Sequence, residues 1–128
     1  MDIEMDQARL YAQTVFAAVD RMDARAFADF FAADGVFAFA NSPEIRGVEA
    51  VRQGVEDFFA AIASLRHEVE EVWRAGETDI CRLRVTYTRH DGSWVSLSCA
   101  TIWLRAEEKI VDYRIYIDLA PLFAPSGG

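Results

Sequence analysis

The sequence predicts an α+β fold in which three N-terminal helices lie against a curved antiparallel or mixed β-sheet, forming a cone that encloses a pocket. Segments with the apolar spacing of helices fill the first half of the 128-residue chain, and three long strand-like segments follow between Thr78 and Asp118. Helices followed by an antiparallel meander are typical of α+β domains. We expect a single domain over residues 1–128, with an ordered core from about 7 to 123 and a loose tail at 121–128.

Composition narrows the classes of function. Hydrophobic residues make up 52% of the chain, which is enough for a packed core and argues against disorder. The net charge is −8 without any basic cluster, so nucleic acid and membrane surfaces are not expected partners. No apolar run has the length of a membrane span, and Met1–Gln7 is acidic, unlike the start of a signal peptide. The two cysteines then favour a reduced, cytoplasmic protein.

The helices are predicted from the spacing of their apolar residues. The stripe of the first helix consists of Tyr11, Val15, Val19 and Met22. Asp23 is predicted to cap a second helix that ends at Gly35. The buried side of that helix consists of Phe27, Phe30 and Phe31. A third helix from about Val48 to Ala63 has one apolar face, formed by Val48, Val51, Val55, Phe58, Phe59 and Ile62.

The strands are predicted between turn signals. A short strand at Val36–Ala40 is followed by a turn at Asn41-Ser42-Pro43, and a longer strand at Arg66–Arg74 ends at Gly76. The meander consists of Asp79–Arg89, Trp94–Arg105 and Lys109–Asp118. Asp91-Gly92 joins the first two of these as a two-residue type I′ hairpin loop.

Two segments resemble the SnoaL-like and ketosteroid isomerase-like families of the nuclear transport factor two superfamily. Glu44-Ile45-Arg46-Gly47-Val48-Glu49-Ala50-Val51 is similar to the entry to their third helix. Lys109-Ile110-Val111, followed by Tyr113-Arg114-Ile115-Tyr116-Ile117-Asp118, is similar to their last strand. The resemblance covers about residues 7 to 123. It implies a cystatin-like cone with a small-molecule pocket and, usually, a homodimer.

The strand register decides which side chains face the pocket. With a two-residue loop at Asp91-Gly92, Arg84 lies opposite Cys99 and Arg82 opposite Thr101. A turn at Ala106–Glu108 sets Thr101 against Tyr113. The family pattern then turns Arg82 and Arg84 inward, whereas the amphipathicity of their strand alone turns Leu83 and Val85 inward. We follow the family pattern, although a bulge would reverse the faces. The predicted inner face consists of Arg82, Arg84, Thr86, Val95, Leu97, Cys99, Thr101, Trp103, Tyr113, Ile115 and Ile117.

The acids of steroid isomerases are missing at the matching positions. The resemblance places their general base, an Asp, on Phe39 and their oxyanion-hole Tyr on Val15. Their second acid falls on Thr101 or its neighbour Ala100. Proton transfer needs a base and a donor at the enolate oxygen, and neither Phe39 nor Val15 supplies one. Steroid isomerisation of the usual type is therefore excluded.

Two other mechanisms implied by the resemblance also need a carboxylate that this chain lacks. Limonene epoxide hydrolase-like enzymes and SnoaL-like cyclases use an inward Asp on the last strand, where this chain has Ile115. The hydrolases also use an Arg-x-Asp sequence, which corresponds here to Arg82-Leu83-Arg84. Without the carboxylate pair, water is not activated for epoxide opening in the known way.

Three polar side chains remain as candidates for acid–base catalysis: His67, Glu71 and Tyr113. A histidine side chain can act as a general acid or base, but a lone histidine at a strand start is more often structural. The Tyr113 hydroxyl can donate to a ligand carbonyl, or it can be tied to a backbone carbonyl. The two His and two Cys have no close-spaced pair, so neither a metal site nor another cofactor is expected.

Three readings of the function stay open. The first is a pocket for a small apolar molecule with a carbonyl or carboxylate end. The second is an isomerase, cyclase, dehydratase or hydrolase with relocated acid–base groups, and the third is a non-catalytic dimeric interaction module. Arg82 and Arg84 would clamp a carboxylate or would pair with Glu68, Glu70 or Glu71. The predicted ligand-binding residues are Val15, Phe39, Phe58, Trp73, Arg82, Arg84, Cys99, Thr101, Trp103, Tyr113 and Ile115.

Two further expectations follow from the predicted faces. A homodimer through the outer sheet face would cover an apolar patch that consists of Leu83, Val85, Tyr87, Ile102 and Tyr116. Cys81 and Cys99 would point to opposite faces and remain free thiols.

Overall fold

A computed structural model describes residues 3–124. The helices are α1 (Ile3–Asp20), α2 (Ala24–Ala28), α3 (Val48–Ala60) and α4 (Ala120–Phe123). The strands are β1 (Phe31–Phe39), β2 (Ile45–Arg46), β3 (Ser64–Ala75), β4 (Thr78–Thr88), β5 (Trp94–Ala106) and β6 (Lys109–Ile117). The predicted α+β fold is confirmed. Among the helices in this range, none is long and apolar enough to cross a membrane.

The six strands form one curved, unclosed sheet in the order β2-β1-β6-β5-β4-β3. Neighbouring strands run antiparallel except β1 and β6, which pair in parallel. Helix α1 packs along β3, and α3 packs on β1 and β2 while contacting α2. The apolar sides of these helices meet the inner face of the sheet, and the hydrophobic core lies between them.

The predicted cap of α2 is confirmed, because the Asp23 Oδ1 accepts a hydrogen bond of 3.0 Å from the Ala26 backbone N–H. The predicted end of this helix at Gly35 is wrong, since α2 stops at Ala28 and Gly35 lies within β1. A Cβ at Gly35 would lie 2.8 Å from the Ile110 carbonyl oxygen. Gly35 therefore allows β1 to approach β6 closely, at the point where their pairing is interrupted.

The last described residues form a short helix. Part of the predicted loose tail at 121–128 forms α4, and the side chain of Leu122 is buried. Arg89 holds this helix by donating from Nε to the Leu122 carbonyl oxygen at 3.1 Å and from Nη2 to the Pro121 carbonyl oxygen at 2.9 Å. Residues 125–128 of the predicted tail lie outside the described residues.

The predicted hairpin loop between β4 and β5 is one residue too short. The closing pair is Arg89 and Ser93, whose backbone N–H and carbonyl are 2.7 Å apart, so the loop is His90-Asp91-Gly92. Gly92 has a φ of 90°, which suits glycine at the last position of such a three-residue loop. Ser93 donates from its backbone N–H and its hydroxyl to the Asp91 side chain at 2.8 Å and 2.6 Å. This network stabilises the longer loop.

One extra loop residue turns every side chain of β4 to the other face. The prediction that Arg82 and Arg84 face inward is therefore wrong, because Leu83 lies opposite Cys99 and both arginines point outward. The inner residues of β4 are Cys81, Leu83, Val85 and Tyr87. Three of these residues were predicted to belong to the outer dimer patch, so that patch must consist of other residues. Both cysteines are free and buried, but on the same face rather than on opposite faces.

The side chains of β5 and β6 point to the predicted faces of the sheet, although the residue pairs between the two strands differ from those predicted. The turn between them is the two residues Glu107-Glu108, one fewer than expected, and Val111 forms a bulge in β6. The two differences together shift the register by two residues, so Thr101 lies opposite Ile115 rather than Tyr113. A shift of two residues preserves the face, and Thr101, Tyr113 and Ile115 remain inside.

Candidate functional site

A mainly apolar cavity of about 50 Å³ lies between α3, the end of α1 and the inner face of the sheet. Helix α3 supplies one wall because Gly54, Val55, Phe58 and Phe59 recur at helical spacing on the side that meets the sheet. The other lining residues are Val19, Phe27, Phe37, Phe39, Leu65, Tyr87, Tyr113 and Ile115.

Two tyrosine hydroxyls supply the polarity of this cavity. Tyr87 and Tyr113 are buried, and within residues 3–124 neither hydroxyl has a hydrogen-bond partner. Both residues line the cavity, and neither hydroxyl is among the fully enclosed atoms without a partner. Burial raises the pKa of Tyr113 well above 10.0 and also raises that of Tyr87. Both groups are hydrogen-bond donors throughout the neutral range.

The Tyr113 ring is fixed by stacking between other aromatic rings. Its centroid lies 5.3 Å from that of Trp103 at an interplanar angle of 17°, and 5.5 Å from that of Phe37 at 26°. The Trp103 indole is fully buried and donates from Nε1 to the Asp79 carboxylate at 2.7 Å. The hydroxyl of Tyr113 therefore has a defined position at the cavity wall.

His67 forms a close pair with Asp20, the last residue of α1. The imidazole Nδ1 lies 2.6 Å from the Asp20 Oδ1, and the His67 backbone N–H donates to both carboxylate oxygens at 3.1 Å. The Phe16 ring stacks on the imidazole with a centroid distance of 4.9 Å and an angle of 18°. These contacts hold the ring in one orientation and leave Nε2 as the proton acceptor when Nδ1 donates to the carboxylate.

This pair lies beside the cavity. Val19 precedes Asp20 on α1, and Leu65 precedes His67 by two residues on the same face of β3, and both Val19 and Leu65 line the cavity. Asp20 was not predicted, because it is 47 residues away in sequence and its side chain was not part of any motif. Its position at the end of the first helix was the available signal.

Four of the predicted ligand-binding residues line the cavity: Phe39, Phe58, Tyr113 and Ile115. Cys99, Thr101 and Trp103 face inward beneath it and belong to the packed interior, as does Val15 of α1. The Cys99 Sγ lies 3.7 Å from the Thr101 Oγ1, so these two polar groups contact each other. Of the predicted residues Phe39, Trp73 and Trp103, only Phe39 lines the cavity.

The remaining predicted residues lie elsewhere. Arg82 and Trp73 form a contact on the outer face, where the guanidinium carbon lies 5.5 Å from the ring centroid and Nε is 3.4 Å from a Glu70 carboxylate oxygen. Arg84 is exposed and reaches Ser98 at 3.4 Å. The Glu71 carboxylate is half exposed and accepts a hydrogen bond of 3.1 Å from Arg9 of α1. It therefore forms an ion pair away from the cavity.

An apolar groove of about 410 Å³ adjoins the cavity. Phe37, Phe39, Gly54 and Phe58 contribute to both spaces, and the rings of Phe39 and Phe58 meet edge to face at 4.8 Å. The outer wall of the groove is formed by Ser42, Pro43, Ile45, Leu119 and Phe123. The described part of the chain contains no group of three His, Cys, Asp or Glu residues that could hold a metal ion.

A family model of the SnoaL-like domain matches residues 12–113. The chain belongs to the SnoaL-like family. No curated protein matches it. Phe39 and Ile115, where the resemblance puts carboxylates, both line the cavity of this SnoaL-like protein.

Solved structures share the fold of this SnoaL-like protein at low sequence identity. A protein of ketosteroid isomerase-like fold from Catenulispora acidiphila DSM 44928, solved with trimethylamine, is 21% identical, with a TM-score of 0.84 over 91% of this chain and 92% of that one. An NTF2-like protein of unknown function from Burkholderia pseudomallei K96243 is 16% identical, with a TM-score of 0.83 over 94% and 98%. An LEH-like epoxide hydrolase from M. tuberculosis is 13% identical, with a TM-score of 0.77 over 94% and 89%.

Proposed function

We propose that this protein binds a small, mainly apolar molecule in the cone, with a carbonyl oxygen of the ligand accepting hydrogen bonds from tyrosine hydroxyls. The observation that carries the proposal is the presence of two unpartnered donors, Tyr87 and Tyr113, in an otherwise apolar cavity. Ligand sites in proteins commonly combine apolar walls with a few polar groups that fix the orientation of the ligand. A carboxylate end is less well supported, because Arg82 and Arg84 lie on the outer face.

The size of the cavity bears on the shape of the ligand. A volume of about 50 Å³ is well below the several hundred Å³ that ligand pockets usually have. The adjoining groove supplies about 410 Å³ more, and the contact between Phe39 and Phe58 separates the two spaces. Both rings are only partly buried, so a change in their rotamers would join cavity and groove. The expected ligand is elongated, with its carbonyl end innermost.

The test compares cyclic and aromatic ketones with hydrocarbons of the same shape, using the intrinsic fluorescence of the protein to measure affinity. Ketones should bind about 2- to 12-fold more tightly than their hydrocarbon partners, as expected for one neutral hydrogen bond. The Tyr113→Phe variant should reduce this preference, whereas Tyr116→Phe, which changes an exposed residue of the outer face, should leave it unchanged. Equal affinities for ketone and hydrocarbon in the unmodified protein would contradict the proposal.

The His67–Asp20 pair favours a second candidate function, acid–base catalysis on the bound ketone. A histidine oriented by a carboxylate is a common general base, and donors at a carbonyl oxygen stabilise the enolate that forms when a neighbouring carbon loses a proton. In this candidate reaction His67 Nε2 removes the proton and Tyr87 and Tyr113 donate to the oxygen. It is an isomerase or dehydratase type of step that does without the carboxylates missing at Phe39 and Ile115.

Deuterium exchange separates binding from catalysis. A ketone that binds is incubated with the protein in D₂O, and NMR follows exchange at the carbon beside the carbonyl. The unmodified protein should accelerate exchange, His67→Gln should abolish the acceleration, and Asp20→Asn should reduce it. Glu70→Gln, which alters a pair on the outer face, should have no effect. Binding without accelerated exchange would reject the enzymatic candidate and leave the binding function intact.

A further inference from the structure

A second cleft, of about 470 Å³, lies between the first turns of α1 and the ends of β3 and β5. It shares no lining residue with the cavity in the cone. Its lining is polar and consists of Glu4, Gln7, Ala8, Tyr11, Arg74, Arg105 and Glu108. The proposed function makes no use of this cleft.

The floor of the cleft is built on a fully buried carboxylate. Asp79 accepts from Arg74 Nη1 at 2.8 Å and from Arg105 Nε at 3.0 Å, in addition to the Trp103 indole. The side chains of both arginines are themselves only 11% and 10% exposed. Hydrogen bonds between ionised groups at such distances are strong, so the two guanidinium groups are held in fixed positions.

The carboxylate of Asp79 compensates only one of the two positive charges that Arg74 and Arg105 place on the floor of the cleft. The other carboxylates near the arginines are at longer distances: Glu4 at 3.5 Å and Glu77 at 3.5 Å from Arg74, and Glu108 at 3.8 Å from Arg105. Charged hydrogen bonds are normally 2.7–2.9 Å long, so these contacts are loose. Since a guanidinium carries five N–H donors, both arginines retain donors for another acceptor.

Tyr11 forms a wall of this cleft. The Arg105 guanidinium carbon lies 3.9 Å from the centroid of the Tyr11 ring, which adds a cation–π contact to the ion pair with Asp79. The hydroxyl of Tyr11 is the one enclosed side-chain oxygen or nitrogen without a hydrogen-bond partner in residues 3–124. The ring of Tyr11, and not its enclosed hydroxyl, therefore contacts the arginine at the floor of the cleft.

We propose that this cleft binds a small oxyanion, namely a carboxylate or phosphate group, through the free N–H donors of Arg74 and Arg105. Planar guanidinium groups match the geometry of such anions, and Asp79 holds two of them side by side in advance of binding. The anion would take the place now held loosely by the glutamates at the rim.

The rim glutamates oppose the anion and set the properties of the site. Glu4, Glu77 and Glu108 are 66%, 68% and 88% exposed, so water and salt screen their charges and they can move aside. Ion pairs with such exposed partners contribute little to stability. Binding should therefore be weak, should depend on salt, and should become tighter when a rim charge is removed.

NMR of the arginine side chains tests the proposal on the full chain. Inorganic phosphate and acetate are titrated separately at constant ionic strength, with sodium chloride as the reference. We expect saturable shifts of the Arg74 and Arg105 side-chain signals with at least one of the two anions, and the two titrations distinguish a phosphate site from a carboxylate site. Shifts that do not saturate, or that sodium chloride reproduces, would overturn the proposal.

A matched pair of variants separates specific binding from a general effect of charge. Glu108→Gln removes a competing rim carboxylate and should tighten binding about two- to five-fold. Glu56→Gln removes the same charge from an exposed ion pair with Arg52 on α3, and should leave the affinity unchanged. If both variants change the affinity equally, the anion responds to net charge and the site is rejected.

Discussion

At the scale of single residues, several groups of the interior remain neutral because they are buried. Desolvation, together with the nearby Asp79 charge, raises the pKa of the Cys81 thiol from 9.0 to about 12. Desolvation also raises the pKa of Tyr11 from 10.0 to about 12. The folded protein thus retains protons that the unfolded chain releases once the pH exceeds the ordinary pKa of each group. The contribution of Cys81 to stability is therefore fully present below pH 9 and is lost as the pH rises towards 12.

Cys81→Ala should weaken this dependence on pH. Between pH 9 and 12, each such group lowers the free energy of unfolding by about 1.4 kcal/mol per pH unit when it is ionised only in the unfolded chain. Chemical denaturation of the unmodified protein and the variant across this range would give the two slopes. The variant should show a slope shallower by about that amount, and identical slopes would mean that the thiol ionises in the folded state.

Asp79→Asn should lower the free energy of unfolding by about 3–5 kcal/mol, because it leaves Arg74 and Arg105 buried beside an uncharged partner. Urea denaturation measures the change. The matched control is Asp57→Asn, which alters a carboxylate in an exposed hydrogen bond with Gln53 on α3 and should change stability by no more than about 0.5 kcal/mol. A loss below 1 kcal/mol for Asp79→Asn would show that the two arginines do not depend on this carboxylate.

At the scale of secondary-structure elements, the lengths of the hairpin loops explain which of the predicted strand faces were confirmed and which were wrong. Asp91-Gly92 was expected to form the whole loop, but the loop also includes His90, because Ser93 pairs with Arg89 and binds the Asp91 side chain, so that the first strand ends one residue earlier. A single residue reversed the face of β4 and with it the positions of Arg82, Arg84 and Tyr87. Short-range sequence signals located both strands correctly but did not fix the length of the loop between them.

Gly92→Ala should destabilise the protein by about 1–2 kcal/mol, because the φ of 90° at this position is unfavourable for a residue with a Cβ atom. Gly92→Asn should be less damaging, since asparagine tolerates positive φ better than alanine. No atom lies within 4 Å of a Cβ placed there, so the difference would report backbone conformation and not crowding. Thermal unfolding of the two variants provides the comparison, and equal midpoints would contradict it.

The sequence supported the fold more firmly than the site. Periodic apolar residues located α1, α3 and the four long strands, because burial of one face imposes a period on the chain. The site depends on contacts between distant segments, for which a single sequence offers no comparable signal. His67 was a candidate without a partner until the fold brought Asp20 within 2.6 Å. Asp79 was not singled out at all, although it joins Arg74 to Arg105.

At the scale of the whole molecule, the outer face of the sheet still favours a homodimer, with different residues from those first expected. Leu83, Val85 and Tyr87 are inside, and the apolar residues that remain on the outer face are Trp73, Ile80, Ile102, Leu104 and Tyr116. Trp73, Leu104 and Tyr116 are each more than 40% exposed. A second copy would remove this patch from water.

Sedimentation at micromolar concentration should therefore detect a dimer, and combining Leu104→Glu with Tyr116→Arg should give a monomer. Both substitutions place a charge in the patch, where burial of an unpaired charge is strongly unfavourable. Leu10→Glu is the control, because Leu10 is 63% exposed on α1, away from the sheet. A monomeric unmodified protein would rule out this assembly.

The parallel pairing of β1 with β6 has a consequence for the order of events during synthesis. Phe37 pairs with Tyr113, so the Phe-rich first strand meets its partner only after all the intervening helices and strands have left the ribosome. Until then that strand offers an open edge and unburied aromatic rings to neighbouring nascent chains. Closing so long a loop also makes folding slow. The chain should therefore depend on chaperones while it is being made, and a ribosome stall just before Lys109 should leave it prone to aggregation.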